Sequence, residues 1–246
     1  EHALVLDLSA NSLTGTIPPC IGNISVDTLD LRLNRFHGEI PSTFAKGNVL
    51  RNLNLYGNQL EGSLPQSLIN CKALEILDVG NNKINGIFPH WLQSLPLLQV
   101  LILRSNKFHD SISDPQASSA FQKLRILDIS DNEFTGLLPK KYFENMMAMV
   151  ESHTDHALKY MGEDQTTRSY YYHDSVTVVL KGFFVEFTKI QTIFTTIDFS
   201  KNNFKGEIPK MLGTLKSLKG LNFSHNELTG TIPNLAPQCC AERNKL

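Results

Sequence analysis

The sequence predicts an α/β solenoid: eight stacked coils with a parallel sheet on the concave side, interrupted by one folded island. Three observations predict it. Asparagines recur at Asn11, Asn34, Asn58, Asn82, Asn106, Asn132, Asn202 and Asn226, at spacings of 23, 24, 24, 24, 26, 70 and 24. A fixed period of this length marks a solenoid, whose units bury their apolar sides only by stacking. The positions three and five before each asparagine are apolar throughout, from Leu8 and Leu6 in the first coil to Phe223 and Leu221 in the last. Finally, the spacing of 70 exceeds one period by 46 residues that belong to no coil.

The stretch 50–73 shows how each part of a coil arises. Leu53 and Leu55 alternate with Asn52, Asn54 and Tyr56, the period of a short strand with its leucines turned into the coil. Stacked coils place such strands about 4.8 Å apart. Asn58 ends the strand; its amide both donates and accepts, so it can satisfy backbone groups where the chain turns inward. Gly62 permits a sharp turn. Pro65 then sets the backbone for a short helical segment on the outer side. Segments of the type TGTIP, HGEIP and EGSLP recur after the asparagines, except in the fifth coil, where Asp110 replaces the glycine and Ser113 the proline.

The organisation is six coils over 1–139, an island over 140–190, two coils over 191–233 and an irregular tail over 234–246. The island opens with YFENMMAMVESH, which reads as helical, passes through the polar, aromatic GEDQTTRSYYYHDS, and ends in SVTVVLKGFFVEF, read as one strand with a turn or bulge at Gly182. Its apolar content argues for a unit packed on the solenoid. Glu1-His2 runs straight into a repeat with neither signal peptide nor cap ahead of it, so the chain reads as a mature piece or fragment.

Basic and acidic residues balance at 23 and 24, which gives no electrostatic ground for a nucleic-acid partner. No apolar run is long enough for a membrane helix. Cys20 and Cys71 fall two coils apart at different places on the coil, too distant for a bridge, and adjacent Cys239 and Cys240 would make a strained one. His153 and His156 share a helix face with Glu151 and Asp155 nearby, but no third ligand is placed, so neither metal nor cofactor is expected. Catalytic motifs of the common nucleotide-binding, hydrolase and zinc-protease types are absent, and the chain is read as a binder rather than an enzyme.

Candidate surfaces lie on the outward strand positions. Four before the asparagines stands a mostly acidic row, Asp7, Asp30, Asn54, Asp78, Ile102, Asp128, Asp198 and Asn222, read as a solvated face. Two before them, Arg32, Tyr56 and Arg104 are residue types favoured as interface anchors. Ile76, Val100 and Ile126, with Ile102 beside them, form an apolar strip. Either the island folds back over it, or strip and island frame a ligand groove. Within the island, Arg168, Tyr170, Tyr171, Tyr172 and His173 concentrate amphipathic side chains, as paratopes do. Arg32, Tyr56, Ile102, Arg104 and these five are the candidate ligand contacts. Asn23-Ile24-Ser25 and Asn222-Phe223-Ser224 are glycosylation sequons.

The unit L-x-x-L-x-L-x-x-N-x-L-x-G-x-I-P resembles the plant-specific leucine-rich repeat. LINCKALEILDVGNNKINGIFPHWLQSLPLLQVLILRSNKF and YYYHDSVTVVLKG…TTIDFSKNNFKGEIP are similar to plant receptor-like proteins of the immune type. The likeness runs from Ala3 to Pro233. It implies a right-handed superhelix, a second sheet formed by the G-x-I-P segments, and placement on the extracellular face of the plasma membrane in the carboxy-terminal part of an ectodomain. It also implies a microbial protein or peptide ligand, read by concave face and island, with signalling through adaptor and co-receptor receptor kinases. Asn48 stands where the family implies a cysteine partner for Cys71. The alternatives are a secreted polygalacturonase-inhibitor-like protein directed at microbial cell-wall hydrolases, against which the island argues, and a glycosidase or peptidase, against which the lack of an acid/base pair argues.

Overall fold

The computed structural model describes residues 5–115, 120–150, 160–161, 175–180 and 183–234. Eight parallel strands, one per coil, make the concave sheet in chain order: Val5–Asp7, Thr28–Asp30, Asn52–Asn54, Ile76–Asp78, Val100–Ile102, Ile126–Asp128, Thr196–Asp198 and Gly220–Asn222. Register is constant: Leu53 pairs with Leu77, Leu77 with Leu101, and so on, always five before the asparagine. The sheet passes the island without a break, because Leu127 pairs directly with Ile197.

The G-x-I-P segments form a second layer of parallel strands, three in coils one to three and five in coils four to eight. Short 3₁₀ helices at Pro19–Asn23, Gln66–Asn70, His90–Ser94 and Lys210–Thr214 follow Pro18, Pro65, Pro89 and Pro209 on the outer side. In the sixth coil the same place is taken by helices Lys140–Asn145, after Pro139, and Met147–Val150. Tyr142, Phe143, Met146 and Met149 are buried in the solenoid core. The island boundary is therefore corrected: residues 140–150 complete the sixth coil, as their apolar face requires. A second correction concerns SVTVVLKGFFVEF, which forms not one strand but an antiparallel hairpin, Val176–Leu180 with Phe183–Phe187.

The asparagines hold the coils together. Asn58 Nδ2 donates to Leu55 O in its own coil at 3.1 Å and to Leu31 O in the preceding coil at 3.0 Å, while its Oδ1 accepts from Phe36 N at 3.0 Å. The pattern repeats at Asn34, Asn82, Asn106, Asn132, Asn202 and Asn226. Inside, leucine columns give way to aromatic ones: Phe108, Phe134 and Phe204 stack with centroids 6.0 and 6.2 Å apart.

The residue just before each asparagine is left-handed in every coil: Ala10, Leu33, Gly57, Asn81, Ser105, Asp131, Lys201 and His225, with φ between 51° and 69°. Such a backbone costs an ordinary side chain about 1–2 kcal/mol, and asparagine less. Lys201 is exposed, with φ 51°. Lys201→Asn is therefore expected to stabilise the protein by about 0.5–1 kcal/mol, read as a raised thermal midpoint.

Cys20 and Cys71 are both free thiols. Burial pushes the Cys71 thiol up to about 11. Asn48 Nδ2 donates to Gly22 O at 2.9 Å and its Oδ1 accepts from Leu50 N at 2.9 Å, so at the position of the implied cysteine an amide ties neighbouring coils.

Candidate ligand-binding surface

Alternation along each concave strand turns positions six, four and two before the asparagine outward, and each of the three columns behaves differently. The column six before carries the apolar strip. Ile76, Val100 and Ile126, with Ile102, form a second hydrophobic cluster with Met161, Val176, Val178 and Ile190, flanked by Phe187 and Phe194. The hairpin alternates as a half-buried strand does, Val176 and Val178 facing the solenoid and Thr177 partly exposed. Met161 N donates to Ile190 O at 2.8 Å, Tyr160 bridges to Gln191, and an Arg125 guanidinium N–H donates to Thr192 O. Of the two readings of the strip, the island folding back over it is the one observed. The reading of Ile102 as a ligand contact is corrected accordingly: it is fully buried beneath the hairpin, where apolar burial is worth about 1.5–3 kcal/mol for such a side chain.

From the second to the seventh coil the column four before is not a solvated face; at the ends Asp7 is exposed and Asn222 half-buried. Asp30, Asn54, Asp78, Asp128 and Asp198 are all buried, at 5% exposure or less. The reason is local: each Oδ1 accepts the backbone N–H two residues on. Asp30 binds Arg32 N at 3.1 Å, Asn54 Tyr56 N at 3.1 Å, Asp78 Gly80 N at 2.9 Å, Asp128 Ser130 N at 3.0 Å and Asp198 Ser200 N at 2.9 Å. These residues cap the strand ends rather than face solvent. Their near-invariance along the column, broken only at Ile102, was the available signal, since a free surface varies more from coil to coil. Desolvation raises Asp78 to about 7, partly offset by the Gly80 N–H and by Arg104. It raises Asp128 to about 6, offset by Arg104 and Ser130.

The column two before holds Arg32, Tyr56 and Arg104. Arg104 is only 2% exposed, so it too is corrected from an open anchor to an internal one. Its Nη1 donates to Asp128 Oδ2 at 3.1 Å and to the hairpin carbonyl of Thr177 at 3.4 Å. Its guanidinium lies 5.6 Å from the centre of the Tyr56 ring, worth about 2 kcal/mol when desolvated. Those residues are two coils apart, and Gly80 between them leaves the path clear: a Cβ there would come within 3.2 Å of Tyr56 and 3.3 Å of Ile102. Arg32 and Tyr56 remain part-exposed. Arg32 Nη1 donates to Ser175 Oγ at 2.7 Å, at the start of the hairpin, and its Nε lies 3.3 Å from Asp30 Oδ2. Arg168, Tyr170, Tyr171, Tyr172 and His173 lie outside the described residues, as do His153, His156, Cys239 and Cys240.

Asn23 is exposed at the end of its 3₁₀ helix. Asn222 instead donates its amide to Asp198 Oδ2 at 3.0 Å and accepts from Ser224 N at 3.1 Å. Among the described residues no His, Cys, Asp or Glu group converges on a metal position, and no helix is long and apolar enough to cross a membrane.

Comparison with known proteins bears on this architecture. One family model described as a leucine rich repeat matches residues 49–108, and a second matches 4–24, 123–143 and 217–239. Receptor-like protein 32 of Arabidopsis thaliana is 46% identical over 220 residues, covering 87% of this chain and 24% of that protein. Receptor-like protein 43 of the same plant is 46% identical over 211 residues, covering 83% and 28%. The chain thus spans about a quarter of the length of these curated relatives. Among solved structures, the Arabidopsis receptor kinase HAESA, in complex with the peptide hormone IDA and the co-receptor SERK1, superimposes with a TM-score of 0.68 at 29% identity, over 95% of this chain and 33% of that one. The PEPR1–AtPEP1 complex superimposes with a TM-score of 0.62 at 25% identity, over 93% and 29%. The repeat, the continuous concave sheet and these similarities agree: the chain belongs to the plant leucine-rich repeat receptor-like proteins.

Proposed function

We propose that this chain is the part of an extracellular immune receptor that reads a microbial protein or peptide, binding it where the concave face of coils one to three meets the island, and that partner receptor kinases carry the signal. It binds and does not catalyse. One observation carries the reading. The island covers the strip of coils four to six, while Arg32 and Tyr56 stay part-exposed at its border. An arginine and a tyrosine at the margin of a rigid, partly covered concave face are the residue types that dominate interface energies. Arg32 already touches the island through Ser175, so it can sense both surfaces. The tyrosine-rich stretch 168–173 precedes Ser175 in sequence and supplies the remaining contacts. The relatives are receptor-like proteins, and the superimposed HAESA ectodomain is one that holds a peptide hormone together with a co-receptor. Asn23, exposed on the outer side, carries a glycan clear of this surface.

Hydrogen exchange of the secreted chain, with and without microbial culture extract and a co-receptor kinase ectodomain, tests this. Added protection around Arg32, Tyr56 and 168–173 is expected. It should weaken at least tenfold in apparent affinity in Arg32→Ala and Tyr56→Ala, as interface anchors do. Unchanged exchange at these residues, or protection confined to the second sheet, would remove this surface as the ligand site. Inhibition of a fungal polygalacturonase by the chain would favour the inhibitor instead.

A further inference from the structure

The two edges of the island hairpin are unlike. In an antiparallel pair, residues alternate between those whose N–H and C=O groups bond the facing strand and those whose groups point outward. Leu180 and Phe183 flank a connection of two residues and pair with each other, the arrangement in which such a pair is bonded directly. Val178 with Val185 and Val176 with Phe187 then bond inward as well. Thr177 and Val179 on the first strand, and Phe184 and Glu186 on the second, present their backbone groups outward. The first strand is held along its outward edge: Thr177 O accepts from Arg104, and Ser175 just before it accepts from Arg32. The second strand has no such contact. The sheet ends with it, and among the described residues nothing bonds the outward groups of Phe184 or Glu186.

Burial shows which edge lies outermost. Val176 and Val178 are buried, whereas Phe187 and Val185, their partners on the same side of the hairpin, are half-buried. The first strand therefore lies over the apolar strip and the second at its margin, with its open edge turned away from the strip. An edge left open normally carries a lysine, a proline or a bulge that discourages pairing. Phe183–Phe187 reads FFVEF in unbroken register and has none of these. We propose that this edge is a pairing site for a second copy of the chain. Two such strands, antiparallel about a twofold axis through Val185, bring Phe184 of each copy opposite Glu186 of the other. All four outward residues then fall in hydrogen-bonded positions, and four N–H···O bonds join the hairpins into a four-stranded sheet. A register with Phe184 or Glu186 opposite itself keeps only two of these bonds within the strands, and the latter sets like charges face to face. The contact is isologous and closes at two copies. Five residues a side make a small interface, of the transient class. It uses neither Arg32 nor Tyr56 and stands apart from the ligand reading.

Sedimentation equilibrium of the ligand-free chain between about 1 and 300 μM, the range of a weak contact, tests it. The mean mass is expected to rise from that of one chain towards that of two. Phe184→Pro removes only an outward N–H, which an edge strand tolerates, so the Val176 and Val178 amides should stay protected from exchange. Its dissociation constant should rise at least tenfold. Disulfide trapping reads the register, with Cys20, Cys239 and Cys240 changed to serine. Facing Val185 residues have Cα atoms about 4.5 Å apart, within the span of a disulfide. Val185→Cys should therefore cross-link two copies under a mild oxidant. Thr188→Cys, whose two copies stand about 20 Å apart in this register, should cross-link at least tenfold more slowly. A mass that stays at one chain throughout overturns the proposal, as do a dimer that Phe184→Pro leaves unweakened and equal trapping at the two positions. Should Phe184→Pro lose the hairpin, the natural chain's mass and the trapping decide.

Discussion

Asn202→Ala is expected to cost about 3–5 kcal/mol, enough to unfold much of a marginally stable domain. Asn202 is 6% exposed. It donates to Ile129 O at 3.0 Å across the gap left by the island, to Phe199 O at 3.3 Å and Ser200 O at 3.2 Å, and accepts from Phe134 N at 3.0 Å. Removing the amide strands at least Ile129 O and Phe134 N in a dry interior, at about 1–3 kcal/mol each. Urea unfolding should then split into two transitions, because neighbouring coils cohere only through their shared interface. Asn11→Ala is the control: that side chain is exposed in the first coil and, among the described residues, binds only Leu8 O and Ser9 O. Its loss should stay near 0.5 kcal/mol. Equal losses for the two variants would mean that the asparagine columns do not carry the stacking.

Arg104→Ala is the second large effect. At neutral pH it leaves Asp128 without its ion pair, and truncating one partner of a buried pair costs about 3–5 kcal/mol. It also removes the cover over Tyr56 and one bond to the hairpin. The sign with pH is fixed by the raised carboxylates. Once Asp78 and Asp128 are protonated they need no counter-charge, so the penalty should shrink at pH 5 relative to pH 7.5. Thermal midpoints of the natural chain and the variant at both values measure this. A penalty that is the same at both would show that Arg104 acts by packing alone. Asp128→Asn in the Arg104→Ala background should recover part of the loss at pH 7.5.

The solenoid was legible because its determinants are periodic. Leu53, Leu55 and Asn58 recur with the same spacing, and period alone specifies which side of each strand faces the core. The apolar strip was legible for the same reason, as three successive apolar residues at one register of an otherwise polar concave face. What the strip touches was not, since the cluster that Ile102 shares with Val178 depends on how an aperiodic island folds back. The aspartate row was misread because the alternation rule gives only the direction of a side chain. Asp78 does point out of its coil, but it turns back onto the Gly80 N–H, and other residues close over it. The role of Arg104 needed the same closure to become visible, together with the missing side chain at Gly80. The start of the island was misplaced for a simpler reason: subtracting a period from the asparagine spacing does not say where along the coil the extra residues enter.

The direct pairing of Leu127 with Ile197 means that the sheet treats everything between them as a single excursion of the chain. Ring-closure entropy grows only with the logarithm of loop length, about 0.6 kcal/mol per doubling. Stretching an ordinary 24-residue return into one of 70 therefore costs the stack only about 1 kcal/mol. Islands of other lengths and compositions can be spliced at this joint with little penalty to the coils on either side. The excursion can then be exchanged while the scaffold stays unaltered, provided the replacement still offers apolar side chains to the strip and a backbone acceptor to Arg104.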